Sequence, residues 1–207
     1  MSGGDTPVQR IGIFGGSFDP PHLGHVKLAR AAVRGCRLDR LTIVPAARSP
    51  FKKGVFCSDR DRMEMCRLSF RGRGYAVSDF EVARGGVSYT VDTVAHFKER
   101  YPAAELWLLV GEDQLLSFDQ WRAWRDLLSM AGLCAAVRTE GGNREALEAF
   151  AEERLRPYGG VLIMDFEPLP MSSTEIRQRI QKGEPIDGFV SPAVKQYILE
   201  KDLYRGL

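Results

Sequence analysis

The chain has 207 residues, a length that suits one domain, and its 44% hydrophobic content can build a core without disulfide or metal staples. Its formal net charge of +2, from 29 basic and 27 acidic residues, is too mild for a nucleic-acid partner, and no basic stripe is visible. The polar segment Met1–Arg10 lacks the apolar core of a signal peptide, and no run reaches the ~18 apolar residues of a membrane span.

The elements alternate along the chain. Gln9–Phe14 reads as a buried strand that stops at Gly15-Gly16, followed by helical spacing from Leu23 to Val33. Leu41–Val44 is the next strand, closed by Pro45, and Ser58 or Asp59 caps a helix from Arg60 to Phe70. Val77–Val82 is predicted as a strand and Thr90–Arg100 as a helix that Pro102 ends. Leu106–Val110 is a fully apolar strand stopping at Gly111, with helical segments through Met130. Strand Leu133–Val137, helix Arg144–Arg156, strand Val161–Met164 and helices Thr174–Lys182 and Ala193–Leu199 complete the series. Strands apolar on both faces, alternating with helices, imply an α/β fold: one doubly wound parallel sheet covered on both sides. Ligands then bind beyond the carboxyl ends of the strands.

The four cysteines, Cys36, Cys57, Cys66 and Cys134, show no C-x-x-C spacing and lie among apolar neighbours. They read as reduced, packed thiols, and with no targeting segment the expected location is cytoplasmic. The pairs Arg71/Arg73 and Lys52/Lys53 read as solvated charge.

Gly15-Gly16-Ser17-Phe18-Asp19-Pro20-Pro21-His22-Leu23-Gly24-His25 follows the first strand. The glycines let the main chain turn sharply beside a ligand, and the prolines suit the start of a helix. His22 and His25, three residues apart, point to the same side. Beside the N–H groups of a helix N-terminus, two imidazoles form a seat for a phosphate chain. Gly24 between them leaves room for close packing. A metal pair would need i, i+4 spacing and a third ligand, which the sequence does not supply.

Ser172-Ser173-Thr174-Glu175-Ile176-Arg177 opens a later helix, with Ser172 and Glu175 in capping-box spacing. The amides of Ser173 and Thr174 and the forked guanidinium of Arg177 are suited to an anion. Taken with the first segment, this reads as the second half of a triphosphate clamp.

Gly15–His25 resembles the (T/H)-x-G-H signature of the adenylyl- and cytidylyltransferase superfamily, and Ser172–Arg177 resembles its I-S-S-T-x-I-R partner. Within that superfamily, the chain from about Arg10 to Arg205 is similar to the bacterial nicotinate mononucleotide adenylyltransferases. The resemblance implies a Rossmann-like fold over residues 10–207, with residues 1–9 a flexible segment. It implies formation of deamido-NAD from ATP and nicotinate mononucleotide with Mg2+ held mainly by phosphates and water. It assigns His22, His25, Ser173 and Arg177 to the ATP phosphates, with Gly15, Gly16, Ser17, Phe18, Gly24, Ser172 and Thr174 around the nucleotide. Gly111 and Asp113 match the family's G-x-D, with Asp113 facing a ribose hydroxyl.

The same resemblance places Lys52, in a P-x-x-x-x-P-F-K pattern, on a phosphate. It places Ser88, Tyr89, Thr90 and Thr93 around the acceptor and Trp121 on its pyridine ring. Backbone amides near Thr90 and Arg122 would select the acid over the amide. Arg138 is a further candidate, although Arg138-Thr139-Glu140 departs from the family's R-P-G, and Glu112 is bulkier than the residue usual there.

The acceptor's phosphate would itself be the nucleophile, so positioning and charge stabilisation suffice and no catalytic base is needed. Rival acceptors are phosphopantetheine, glycerol phosphate and nicotinamide mononucleotide. A nucleotide sensor or a relative of class I tRNA synthetases is disfavoured by the intact clamp and by the missing K-M-S-K-S segment. A homo-oligomer is left open.

Overall fold

The computed structural model describes residues 9–48, 55–138 and 143–205. Six parallel strands form one sheet in the order β3-β2-β1-β4-β5-β6. They are β1 (Arg10–Gly16), β2 (Arg40–Pro45), β3 (Tyr75–Val77), β4 (Glu105–Gly111), β5 (Ala131–Arg138) and β6 (Val161–Phe166). The order reverses between β1 and β4, which pair from Arg10↔Glu105 to Ile13↔Leu108. Beyond that pairing the two strands part, and the crevice there is the binding position of a doubly wound sheet.

The helices are α1 (Leu23–Gly35), α2 (Asp59–Ser69), α3 (Phe80–Arg84), α4 (Thr90–Arg100), α5 (Glu112–Leu116), α6 (Trp124–Met130), α7 (Arg144–Phe150), α8 (Ser173–Gln181) and α9 (Pro192–Glu200). Strand alternation sends Ile11, Ile13, Leu106, Leu108 and Val110 into one apolar layer with Val94, Phe97 and Leu127. Phe14, Leu41, Ile43 and Leu109 enter the opposite layer with Ala29 and Ala32 of α1 and Cys66 and Phe70 of the α2 region. A third cluster joins α2 to the C-terminal helices through Met65, Ile176, Val194, Ile198 and Tyr204. The doubly wound α/β expectation holds.

Three expectations need correction. The strand predicted at Val77–Val82 ends at Val77, and Phe80–Arg84 is helical. There Ser78 Oγ accepts from the Phe80 amide, and Gly85, at φ 71°, stops the helix after one turn. The helix predicted across Arg144–Arg156 changes to a π-helical turn at Ala151–Leu155. The cysteines are not all thiols: Cys36, at the end of α1, and Cys134 of β5 form a disulfide, 98 residues apart in sequence. Both lie in the same apolar layer, and this juxtaposition of a helix end with a mid-sheet position has no local signature. Cys57 and Cys66 are free. No described helix is long and apolar enough to cross a membrane.

Candidate active site

The first strand delivers its loop to the crevice, and remote segments hold that loop. Phe18 adopts φ 47°, and its ring is buried against Phe14, Phe70 and His25. Only its backbone is left for the nucleotide contact expected of it. Gly16 is required beside it, since a Cβ there would lie 2.9 Å from the Phe18 ring. Arg62 of α2, fully buried, donates from Nη1 to the Ser17 carbonyl at 2.7 Å and pairs with Asp59. Asp19, also buried, accepts from the Phe56 amide at 2.6 Å and the Tyr204 hydroxyl at 2.8 Å.

Helix α1 begins with an unusual cap. His22 is the N-cap and His25 the N3 residue; each ring accepts at Nδ1 from the other's backbone N–H, at 3.4 and 3.1 Å. The rings stack with centroids 3.7 Å apart. An imidazole accepting at Nδ1 carries its proton on Nε2, so both neutral rings are Nε2–H donors. The amides of the first turn are not the anion seat expected: Leu23 N–H binds the Phe189 carbonyl at 2.8 Å and Gly24 N–H meets the Met171 sulfur at 3.3 Å. What packs on Gly24 is internal, for a Cβ there would lie 2.9 Å from His22 Nδ1 and 3.4 Å from Met171. At this end the first two helix amides are engaged within the chain, and the paired imidazoles stack beside them.

Helix α8 meets the same loop. Ser172 caps it by accepting from the Glu175 amide at 3.1 Å. Ser173 Oγ donates to the Pro20 carbonyl at 2.8 Å, and Arg177 Nη1 donates to the Asp19 carbonyl at 2.7 Å. Arg177 Nη2 lies 3.2 Å from Thr174 Oγ1, and its guanidinium covers the Phe56 ring at 4.1 Å. The two sequence segments, more than 150 residues apart, therefore converge on one turn, as a two-part clamp requires.

Beside the clamp lies a cavity of about 430 Å³, lined by Gly15, Gly16, Ser17, Ser88, Tyr89, Thr90, Thr93, Trp121 and Arg122. Every acceptor residue expected from sequence is on this wall except Lys52, which lies outside the described residues, as does the segment 1–8. Two of the hydroxyls are engaged in framing the cavity: Ser88 Oγ accepts from the Ala47 amide at 3.1 Å, and Thr93 Oγ1 donates to buried Glu81 at 2.6 Å. Tyr89 caps α4, and the Arg122 guanidinium sits 4.5 Å over its ring. Trp121 packs beside Phe118, 5.1 Å between centroids. The backbone amides of Thr90 and Arg122 bond to none of the described residues. Glu81, Gln114 and Gln120 also line the cavity and were not singled out in the sequence.

Other expected residues lie further out. Gly111 caps α5, its amide held by Gln114 Oε1 at 3.0 Å, while Asp113 is exposed in that first turn and outside the cavity wall. Exposed Arg138 ends β5, and its amide faces Glu112 Oε2 at 3.5 Å, so the two departures from the family pattern are neighbours. Trp107 and Trp124 pack against the apolar layers.

A cytidylyltransferase-like family profile matches residues 13–179. A protein of Gemmatimonas aurantiaca named "Probable nicotinate-nucleotide adenylyltransferase" is 42% identical over 200 residues, covering 95% of this chain and 93% of its own. A Chlorobaculum parvum protein of the same name is 42% identical over 203 residues, covering 96% and 100%. The chain belongs to the nicotinate-nucleotide adenylyltransferase family. A solved structure described as Plasmodium falciparum nicotinic acid mononucleotide adenylyltransferase complexed with NaAD superposes with a TM-score of 0.76 at 19% identity, over 95% of this chain and 97% of that one. At that identity the likeness speaks for the adenylyltransferase fold alone.

Proposed function

We propose that this site transfers the adenylyl group of ATP to the phosphate of nicotinate mononucleotide, giving deamido-NAD and pyrophosphate. The observation that carries this reading is the convergence of His22, His25, Ser173 and Arg177 on one turn at the mouth of a cavity with an aromatic wall. An oxygen of the acceptor phosphate attacks the α-phosphorus of ATP in line. The bond from that phosphorus to the bridging oxygen breaks, and pyrophosphate leaves with the electron pair. The acceptor is already an anion, so no side chain removes a proton.

The residues act by placing charge. The Nε2–H groups of His22 and His25 and the guanidinium of Arg177 would donate to the phosphates on which negative charge grows, and donors aimed there accelerate the step. In the cavity Trp121 stacks on the pyridine ring, and the amides of Thr90 and Arg122 hold its carboxylate. Among the described residues no three His, Cys, Asp or Glu side chains gather into a metal site. A cation carried by the triphosphate and its waters suits that donor set. Mg2+ bound in this way would neutralise charge on the phosphates.

The test is pyrophosphate release from ATP and Mg2+ with nicotinate mononucleotide or nicotinamide mononucleotide as acceptor. Release with the acid alone, with deamido-NAD as product, is expected. Equal rates with both would overturn the acid selection, and silence with both would overturn the reading.

A further inference from the structure

The loop between β1 and α1 carries the histidine pair, and its middle, at Ser17 to Pro20, is held by groups from distant segments. Asp19 is its hub. One carboxylate oxygen accepts from the Phe56 amide, the other accepts from the Tyr204 hydroxyl, and its carbonyl accepts from Arg177. The carboxylate is 4% exposed and so is Tyr204, which keeps water from replacing either partner. Tyr204 lies beyond α9 with φ 68°, a left-handed conformation uncommon outside glycine and seen also at Asp202. The C-terminal turn is thus shaped to bring one hydroxyl back across 185 residues of sequence.

We infer that Tyr204 is a positioning residue for adenylyl transfer: by holding Asp19 it sets the carbonyl against which Arg177 is aligned, and with it the turn leading to His22. The role rests on the proposed reaction. Three features favour it over simple packing. The hydroxyl is a permanent donor, because burial, then nearby Cys57 and Asp19, push the phenol far above its usual range. Cys57 Sγ lies 3.1 Å from the same hydroxyl, and burial raises that thiol to about 12, so it stays protonated and donates to the tyrosine oxygen while the tyrosine proton goes to Asp19. Finally, the segment has a second docking bond that does not touch Asp19: Tyr197 of α9 donates to Asp61 of α2 at 2.8 Å. Ile198, Val194 and the Tyr204 ring supply apolar packing besides.

That separation defines the experiment. Tyr204→Phe and Tyr197→Phe each delete one hydroxyl from the same segment, and the full chain is assayed for pyrophosphate release alongside its Tm. Tyr204→Phe is expected to lower kcat about tenfold, with the KM for nicotinate mononucleotide within about twofold. Tyr197→Phe is expected to stay within about twofold of the parent kcat even where its Tm falls as far. In an Arg177→Lys background, Tyr204→Phe should cost less than about twofold more, because both act through one alignment. Turnover of Tyr204→Phe within twofold of the parent, or equal losses in both tyrosine variants, would overturn the role. Should Tyr204→Phe fail to fold, Asp19→Asn carries the same expectation of a kcat-selective loss, and a normal kcat there overturns it. A parent chain that releases no pyrophosphate would overturn the underlying reaction; a working parent with an unimpaired Tyr204→Phe overturns only the positioning role.

Discussion

The clamp and the acceptor cavity share the loop Gly15–Ser17 but are built by opposite means. Around the clamp, polar groups from distant segments are tied to backbone carbonyls: Arg62 to Ser17, Arg177 to Asp19 and Ser173 to Pro20. The cavity is walled by stacked and tilted groups, with Arg122 over Tyr89 and Trp121 beside Phe118, and has few fixed hydrogen bonds. Charge stabilisation depends on donors that need not reorganise during the reaction, so the clamp is held rigidly. A flat ring is recognised by surface contact, which tolerates small shifts.

Substitutions can break or sharpen that contrast. Arg177→Ala or His25→Ala should lower kcat by at least about tenfold, and on the order of 100-fold when a full donor is lost. The Tm should fall by no more than the loss of one helix cap or loop bond, about 1 kcal/mol; turnover close to normal would remove that residue from the clamp. Trp121→Ala should act on the other region, raising the acceptor KM roughly tenfold, given ~1–3 kcal/mol for stacking a ring. An equal rise in the KM for ATP would show that the two regions are not separable. Gly24→Ala tests how tightly the clamp is packed. Its new methyl, 2.9 Å from His22 Nδ1, must displace a ring of the stacked pair, and a loss of roughly fivefold in kcat is expected from ~1 kcal/mol of overpacking.

The smallest effect is on stability in alkali. Burial raises the Cys57 thiol from 9.0 to about 12. A group whose folded value lies above its unfolded one gives its full contribution below the unfolded value and loses it as pH rises towards the folded one. Tm should therefore fall between about pH 9 and pH 12, and Cys57→Ala should flatten part of that fall. An identical slope in the variant would assign the loss to other groups, such as Tyr197, whose phenol burial also raises to about 12.

Local pattern made most of the sheet readable. β1, β2, β4 and β5 are apolar runs between glycine, proline or polar breaks, and most of their apolar residues are buried, whereas the edge strand β6 buries only Val161 and exposes Leu162. β3 is an edge strand of only three residues, too short to outweigh the helical turn at Phe80, and the reading failed there. In the site, His22, His25, Ser173 and Arg177 were visible because each sits at a helix start with a recognisable spacing. Asp19, Arg62 and Tyr204 were not singled out, because their ties to the loop are pairings across 37 to 185 residues. The same holds for Cys36 and Cys134, whose apolar neighbours suggested only burial. The histidine cap was half legible: spacing put both rings on one side, but not that each would take the other's amide.

The tie between Tyr204 and Asp19 also bears on how the molecule comes into being. Sheet and flanking helices contain many neighbouring contacts, whereas the clamp closes loops of 153, 158 and 185 residues. Such contacts must await the chain ends they join and form late in folding. On a ribosome, the turn bearing the histidines emerges early, and its ties to Arg62 and Phe56 can form well before those to Ser173, Arg177 and Tyr204. A chain whose sheet is complete up to β6 therefore still lacks the ties that Ser173, Arg177 and Tyr204 make to that turn.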